Sequence, residues 1–157
     1  MVSSLIAEGV RVVFDAEIPY ADLSNRVMHL RPQPETLRDA DILILRGDCD
    51  HELGHFLYTD PLHLIEKPFI SQIQNLIEDG RVERLVSDKW LGCAENLRDS
   101  NEVALKELLM ECGKFDGWSR RRRAMAGLQL LAFGESLETV YDRLGEDLVV
   151  EYEPIFG

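Results

Sequence analysis

His51-Glu52-Leu53-Gly54-His55 is the one place in the chain where residues able to bind a metal stand beside a residue able to do acid-base chemistry. In a helix the i, i+4 spacing stacks His51 and His55 on one face, one turn apart, so both imidazoles reach a single zinc ion. Glu52 is then offset to the side of that metal. There it can take a proton from a water attacking a carbonyl and later hand it to the leaving amine. Gly54, between the histidines, costs a helix about 1 kcal/mol relative to Ala, which implies that another element packs closely there.

Upstream, Val10-Arg11-Val12-Val13-Phe14 and Arg26-Val27-Met28-His29-Leu30-Arg31 read as two strands, paired antiparallel across the turn-prone stretch from Pro19 to Asn25. Pro32 and Pro34 end the second strand. His29 falls on its polar phase and reads as a surface residue. Glu35 to Leu45, with Leu37, Ile42, Leu43, Ile44 and Leu45, suggests a buried helix leading through Arg46-Gly47 into the metal helix, Asp48 to Tyr58. Asp48 or Asp50 is placed to serve the amino end of that helix. Thr59-Asp60-Pro61 stops it.

Downstream, a helix is predicted from Pro68 to Asp88, its apolar side formed by Phe69, Ile70, Ile73, Leu76 and Ile77. Asn75, Asp79 and Glu83 follow one another at i, i+4, i+8 and stand in one line, with Glu78 beside them. A catalytic zinc with two helical histidines wants a third protein ligand and an open position for water. Asp79 is the favoured ligand, because Asn75 and Glu83 share its face and could hold the metal-binding groups by hydrogen bonds; Glu78 is the alternative. His63 competes less well, since it follows His55 by eight positions with Pro61 between them.

Asn101 to Cys112, Ala124 to Phe133 and Leu137 to Leu144 carry helical periodicity. Arg120-Arg121-Arg122-Arg123 reads as a patch that pairs with the chain's own carboxylates or docks an acidic partner. Tyr58, Tyr141 and Arg81 are possible donors to a developing oxyanion, with nothing in the sequence to choose among them.

At 157 residues and 45% hydrophobic content the chain suits one compact α+β domain over 1–157, mostly helical with a small N-terminal antiparallel sheet. Seventeen basic against 29 acidic residues leave a formal charge of −12, which repels phosphate backbones and anionic membranes, so neither nucleic acid nor membrane is the expected partner. Cys49, Cys93 and Cys112 form no CxxC pair and are odd in number, which fits a reducing compartment. The amino terminus lacks a basic and then apolar leader, and no apolar run approaches a membrane span, so a cytoplasmic protein is expected. The stretch Glu151 to Gly157 reads as a loose tail.

His51 to Asp60, followed by Asn75-Leu76-Ile77-Glu78-Asp79-Gly80-Arg81-Val82-Glu83, resembles the zincin-type metallopeptidase domains that precede von Willebrand factor A domains, as in cobaltochelatase-subunit-like proteins of bacteria and phages. The shared pieces are HE-x-GH, a tyrosine-threonine-aspartate step that includes Asp60, and N-x-x-E-D-x-R-[IV]-E. The resemblance is strongest over Gly47 to Glu83. It implies a zincin-like fold, zinc at His51 and His55, an acidic third ligand from Glu78-Asp79, and Glu52 as general base. It also implies a von Willebrand factor A-type partner, which the remaining residues do not contain; that module would be a separate chain, or this is a stand-alone, phage-borne version in host cytoplasm or virion.

Two functional readings follow. One is a zinc-dependent metallopeptidase acting on a peptide or protein substrate. The other is a non-enzymatic module in which the same ligands hold a zinc that stabilises the fold while another surface binds a partner chain.

Overall fold

A computed structural model of the chain describes residues 9–60 and 68–112, and beyond them 123, 126–128, 130–131 and 136–144. His63, Arg120, Arg121, Arg122 and the carboxyl-terminal tail lie outside the described residues. The architecture is mixed α+β, with helices predominating over a small three-stranded sheet. By contact the chain divides into two compact units, residues 1–103 and 104–157. No helix among the described residues is long and apolar enough to cross a membrane.

In the first unit the strands are β1 (Arg11–Phe14), β2 (Tyr20–Asp22) and β3 (Val27–Leu30), in the order β1-β3-β2. β2 pairs with β3 antiparallel, Tyr20 opposite His29, but β1 pairs with β3 parallel, Arg11 opposite Val27 and Phe14 opposite Leu30. The expected antiparallel pair is therefore corrected. The turn-prone stretch hides a three-residue edge strand, so the chain reverses twice between β1 and β3 and returns in its original direction. The second reversal is tight: Asp22 accepts bonds from the Asn25 backbone and side chain at 2.9 and 2.8 Å, and Arg26 takes a left-handed conformation, φ 54°. Central β3 is the most buried strand. His29 on it is half-buried, stacked on Tyr20 with ring centroids 4.3 Å apart and bonded to Asp15 at 2.7 Å.

The expected break before the metal helix is also absent. One helix, α1, runs from Asp39 to Tyr58, so Asp48 and Asp50 lie in its interior rather than at its start. Its amino end is made instead by Arg38 and Asp41: Asp41 accepts the Arg38 backbone N–H at 2.8 Å and two guanidinium bonds at 2.9 and 2.6 Å. Leu37 lies ahead of the helix and is exposed. The helix carries core contacts on two sides. Leu45, Cys49, Leu53 and Phe56, spaced by three and four, meet Val10, Val12, Met28 and Leu30 of the sheet region.

The other side meets α2 (Pro68–Lys89) and the amino half of α3 (Leu91–Cys112). Gly54 faces Val82 and Val86, and a β-carbon there would sit 3.2 Å from Val82 Cβ and 3.1 Å from Val86 Cγ2. The close packing implied by that glycine is present. Gly47 is a second contact of the same kind, against Ser100 of α3. Val82 and Val86 are fully buried, and Val86 joins Cys93 and Leu97 in a cluster flanked by Tyr58 and Trp90. Ile77, on the expected apolar side of α2, is exposed instead; among the helix's described residues, Val82 and Val86 are the fully buried ones.

In the second unit, residues 126–128 and 130–131 are helical, α4 spans Leu137–Leu144, and Ala126, Leu130 and Val140 are buried. Arg123, the one described residue of the four arginines, is helical and half-buried.

Candidate metal centre

The helices α1 and α2 pair antiparallel. His51 meets Glu83, His55 meets Asp79, and Thr59 meets Glu78, so the α2 partner number falls as the α1 number rises. This pairing turns two linear patterns into one site. His51 Nε2 and His55 Nε2 are 3.2 Å apart, and Asp79 Oδ1 lies 3.2 Å from His55 Nε2 and 3.7 Å from His51 Nε2. Three ligand atoms bound tetrahedrally at about 2.05 Å from zinc stand roughly 3.3 Å apart, so this triangle has the dimensions a metal requires. The same group could hold other divalent ions.

The outer nitrogens are tied down. Glu83 Oε1 accepts from His51 Nδ1 at 2.9 Å, and Asn101 of α3 donates to Glu83 Oε2 at 3.3 Å. His55 Nδ1 lies 2.9 Å from the Thr59 hydroxyl, which donates to Glu78 Oε1 at 2.7 Å. Glu78 is held by Arg81 through Nε at 2.7 Å and Nη2 at 2.6 Å, and Arg81 Nη2 also donates to the Tyr58 carbonyl at 2.7 Å. Of the two adjacent carboxylates, Asp79 meets the histidines and Glu78 does not. Asn75, expected to support the metal-binding groups, and Asp60, of the tyrosine-threonine-aspartate step and also expected beside the metal ligands, line the neighbouring cleft.

That cleft, about 310 Å³, opens among Tyr58, Thr59, Asp60, Gln74, Asn75, Glu78 and Arg81. Among the candidate oxyanion donors, Arg81 is engaged by Glu78, and Tyr58 packs on the Val86 cluster while also reaching the cleft. Tyr141 lies on α4 with its side chain outside the described residues.

The electrostatics reflect crowded charge. Burial works against a charge on His51, but the Glu83 hydrogen bond and the carboxylates of Glu52, Asp79 and Glu83 outweigh it and raise His51 to about 9. A metal that takes His51 Nε2 must displace that proton. Glu52 is buried, 4% exposed, and no described hydrogen bond reaches its carboxylate. Burial pushes it up to about 7, with His51 and His55 pulling the other way. The Arg81 bonds hold Glu78 down to about 2, against burial and with help from Thr59.

Thr59, Arg81, Asn96 and Asn101 belong to this region, and the sequence reading gave none of them a part in holding the site. Thr59 had a legible signal, since it continues the His51, His55 spacing by another four residues. Asn96 and Asn101 had none, because only the packing of α3 brings them near α1 and α2. Comparison with protein-family models, with curated proteins and with solved structures finds no match in any of the three.

Proposed function

We propose that this chain is a zinc-dependent metallopeptidase in which His51, His55 and Asp79 hold the metal and Glu52 is the general base. The observation that carries this reading is the triangle of two Nε2 atoms and one carboxylate oxygen with metal-site dimensions, formed across two helices beside a buried glutamate. Two histidines and a carboxylate are a donor set that catalytic zinc sites use, with water in the fourth position.

Bound zinc supplies a Lewis acid that polarises the scissile carbonyl and makes water nucleophilic near neutral pH. Glu52 accepts the proton of the attacking water and delivers it to the leaving amine. Its affinity for a proton, raised to about 7 by burial, suits a group that must both take and release one near neutrality. Glu83 and Thr59 keep the two imidazoles aimed inward. The cleft between the end of α1 and the start of α2 offers room for a substrate side chain next to the site.

The test is metal content together with turnover. Protein purified without added metal should carry one zinc per chain by elemental analysis, lost in His51→Ala and Asp79→Ala and retained, less tightly, in Glu78→Ala. Glu52→Gln should keep the zinc and lose at least about 10²-fold in cleavage of an unbiased peptide mixture. A metal-free wild type would sink the reading. Metal without cleavage in the wild type would favour the zinc-stabilised interaction module.

A further inference from the structure

The two histidines are oriented by different devices. His51 Nδ1 faces Glu83 Oε1, and because an ionised carboxylate only accepts, His51 must be the donor. His55 Nδ1 faces the Thr59 hydroxyl, which by itself fixes nothing, since a hydroxyl both donates and accepts. Glu78 removes the ambiguity. Thr59 has one proton and Glu78 Oε1 takes it at 2.7 Å, which leaves only lone pairs on the Thr59 oxygen for His55. Arg81 keeps Glu78 an acceptor with two guanidinium bonds, and is itself pinned by the Tyr58 carbonyl at the carboxyl end of the same helix that carries His55.

We propose that Glu78 is a positioning residue: through Thr59 it locks His55 in the Nδ1–H tautomer and so leaves the Nε2 lone pair free for a metal where His51 Nε2 and Asp79 Oδ1 converge. This gives Glu78 a different task from that of its neighbour Asp79. Free imidazole side chains prefer the Nε2–H form, which would place a proton on the nitrogen that has to bind the metal. Asp79 Oδ1, 3.2 Å from His55 Nε2, also only accepts and draws the proton the same way, so the Arg81-Glu78-Thr59 chain has to hold it on Nδ1 against both before any metal arrives. Its purpose rests on the reading of His55 as a ligand; its geometry does not.

Long-range ¹H–¹⁵N NMR of the full-length, metal-free protein, followed over a pH series, reports which ring nitrogen of neutral His55 carries the proton. Wild-type His55 should be the Nδ1–H form. Thr59→Val should shift neutral His55 to mostly Nε2–H, leave the proton on His51 Nδ1 in place, and weaken zinc binding, measured against a competing chelator, by about 10- to 100-fold. Thr59→Ser should restore both readouts. Glu78→Gln should move both in the direction of Thr59→Val by less, because an amide can turn its NH₂ toward Thr59. An Nε2–H His55 in the wild type, or a tautomer indifferent to Thr59→Val and Glu78→Gln, overturns the proposal. If the tautomer shifts as stated but the wild type binds no zinc, the positioning role stands and the metal assignment falls. If zinc binds and His51→Ala abolishes it while the tautomer ignores both variants, the metal assignment stands and the relay falls.

Discussion

Two carboxylates near the middle of α1 are buried to a similar degree and meet different fates. Asp50, 6% exposed, accepts a 2.7 Å bond from Asn96 of α3, whereas Glu52, two residues on, has no described hydrogen bond and feels the charges of both histidines. A buried carboxylate is costly unless it is hydrogen-bonded or faces a cation, so the first is read as structural, and the second fits the general base proposed above. Asn96→Ala should therefore destabilise the protein by about 1–3 kcal/mol in urea unfolding, because it takes from buried Asp50 its amide donor and leaves it the weaker Cys93 thiol. A change within error would show that water replaces the amide without cost.

At the scale of elements, α1 works because it packs on two sides, and glycine makes the second side possible. Gly54→Ala gains about 1 kcal/mol of helix propensity but pushes a methyl into Val82 and Val86, an overpacking that costs about 1–3 kcal/mol. The expected net is a loss near 1 kcal/mol. Adding Val86→Ala should make the double mutant less destabilised than the sum of the singles, the coupling expected of groups in contact; simple additivity would mean that the two helices slide apart instead. The amino end of α1 has a pH signature. Arg38 bonds hold the Asp41 carboxyl at about 2, below its ordinary 3.8, so its contribution is complete above roughly pH 4 and fades as the pH falls toward 2. The stability difference between wild type and Asp41→Asn should therefore be constant above about pH 5, be mostly lost by about pH 2 and vanish near pH 1. A difference that does not shrink between about pH 5 and pH 1 would assign the cap to something other than the ionised carboxylate.

For the molecule as a whole, the candidate metal centre joins two helices of one compact unit, residues 1–103, so an ion bound there opposes their separation. Zinc at 100 times its dissociation constant should stabilise the folded state by about 2.7 kcal/mol, seen as a raised unfolding midpoint. His51→Ala should lose this response. An equal response in that variant would mean that zinc binds elsewhere on a chain of formal charge −12.

What the sequence determined by itself is what local spacing encodes. His51 and His55 share a face because they are four residues apart on a helix, Asp79 and Glu83 do for the same reason, and Gly54 announced a close neighbour because glycine is otherwise costly there. The span of α2 and the stop after Tyr58 were legible from Pro68 and from Thr59-Asp60-Pro61. The tertiary structure decided the rest. It made β1 and β3 parallel by inserting a three-residue edge strand too short to show a period. It carried α1 unbroken through Gly47, because Ser100 packs where a β-carbon would be. It placed Asp79 on the histidines and gave Glu78 to Arg81 and Thr59. Adjacent residues on a helix point about 100° apart, and only the antiparallel docking of α1 on α2 determines which of the two faces the site.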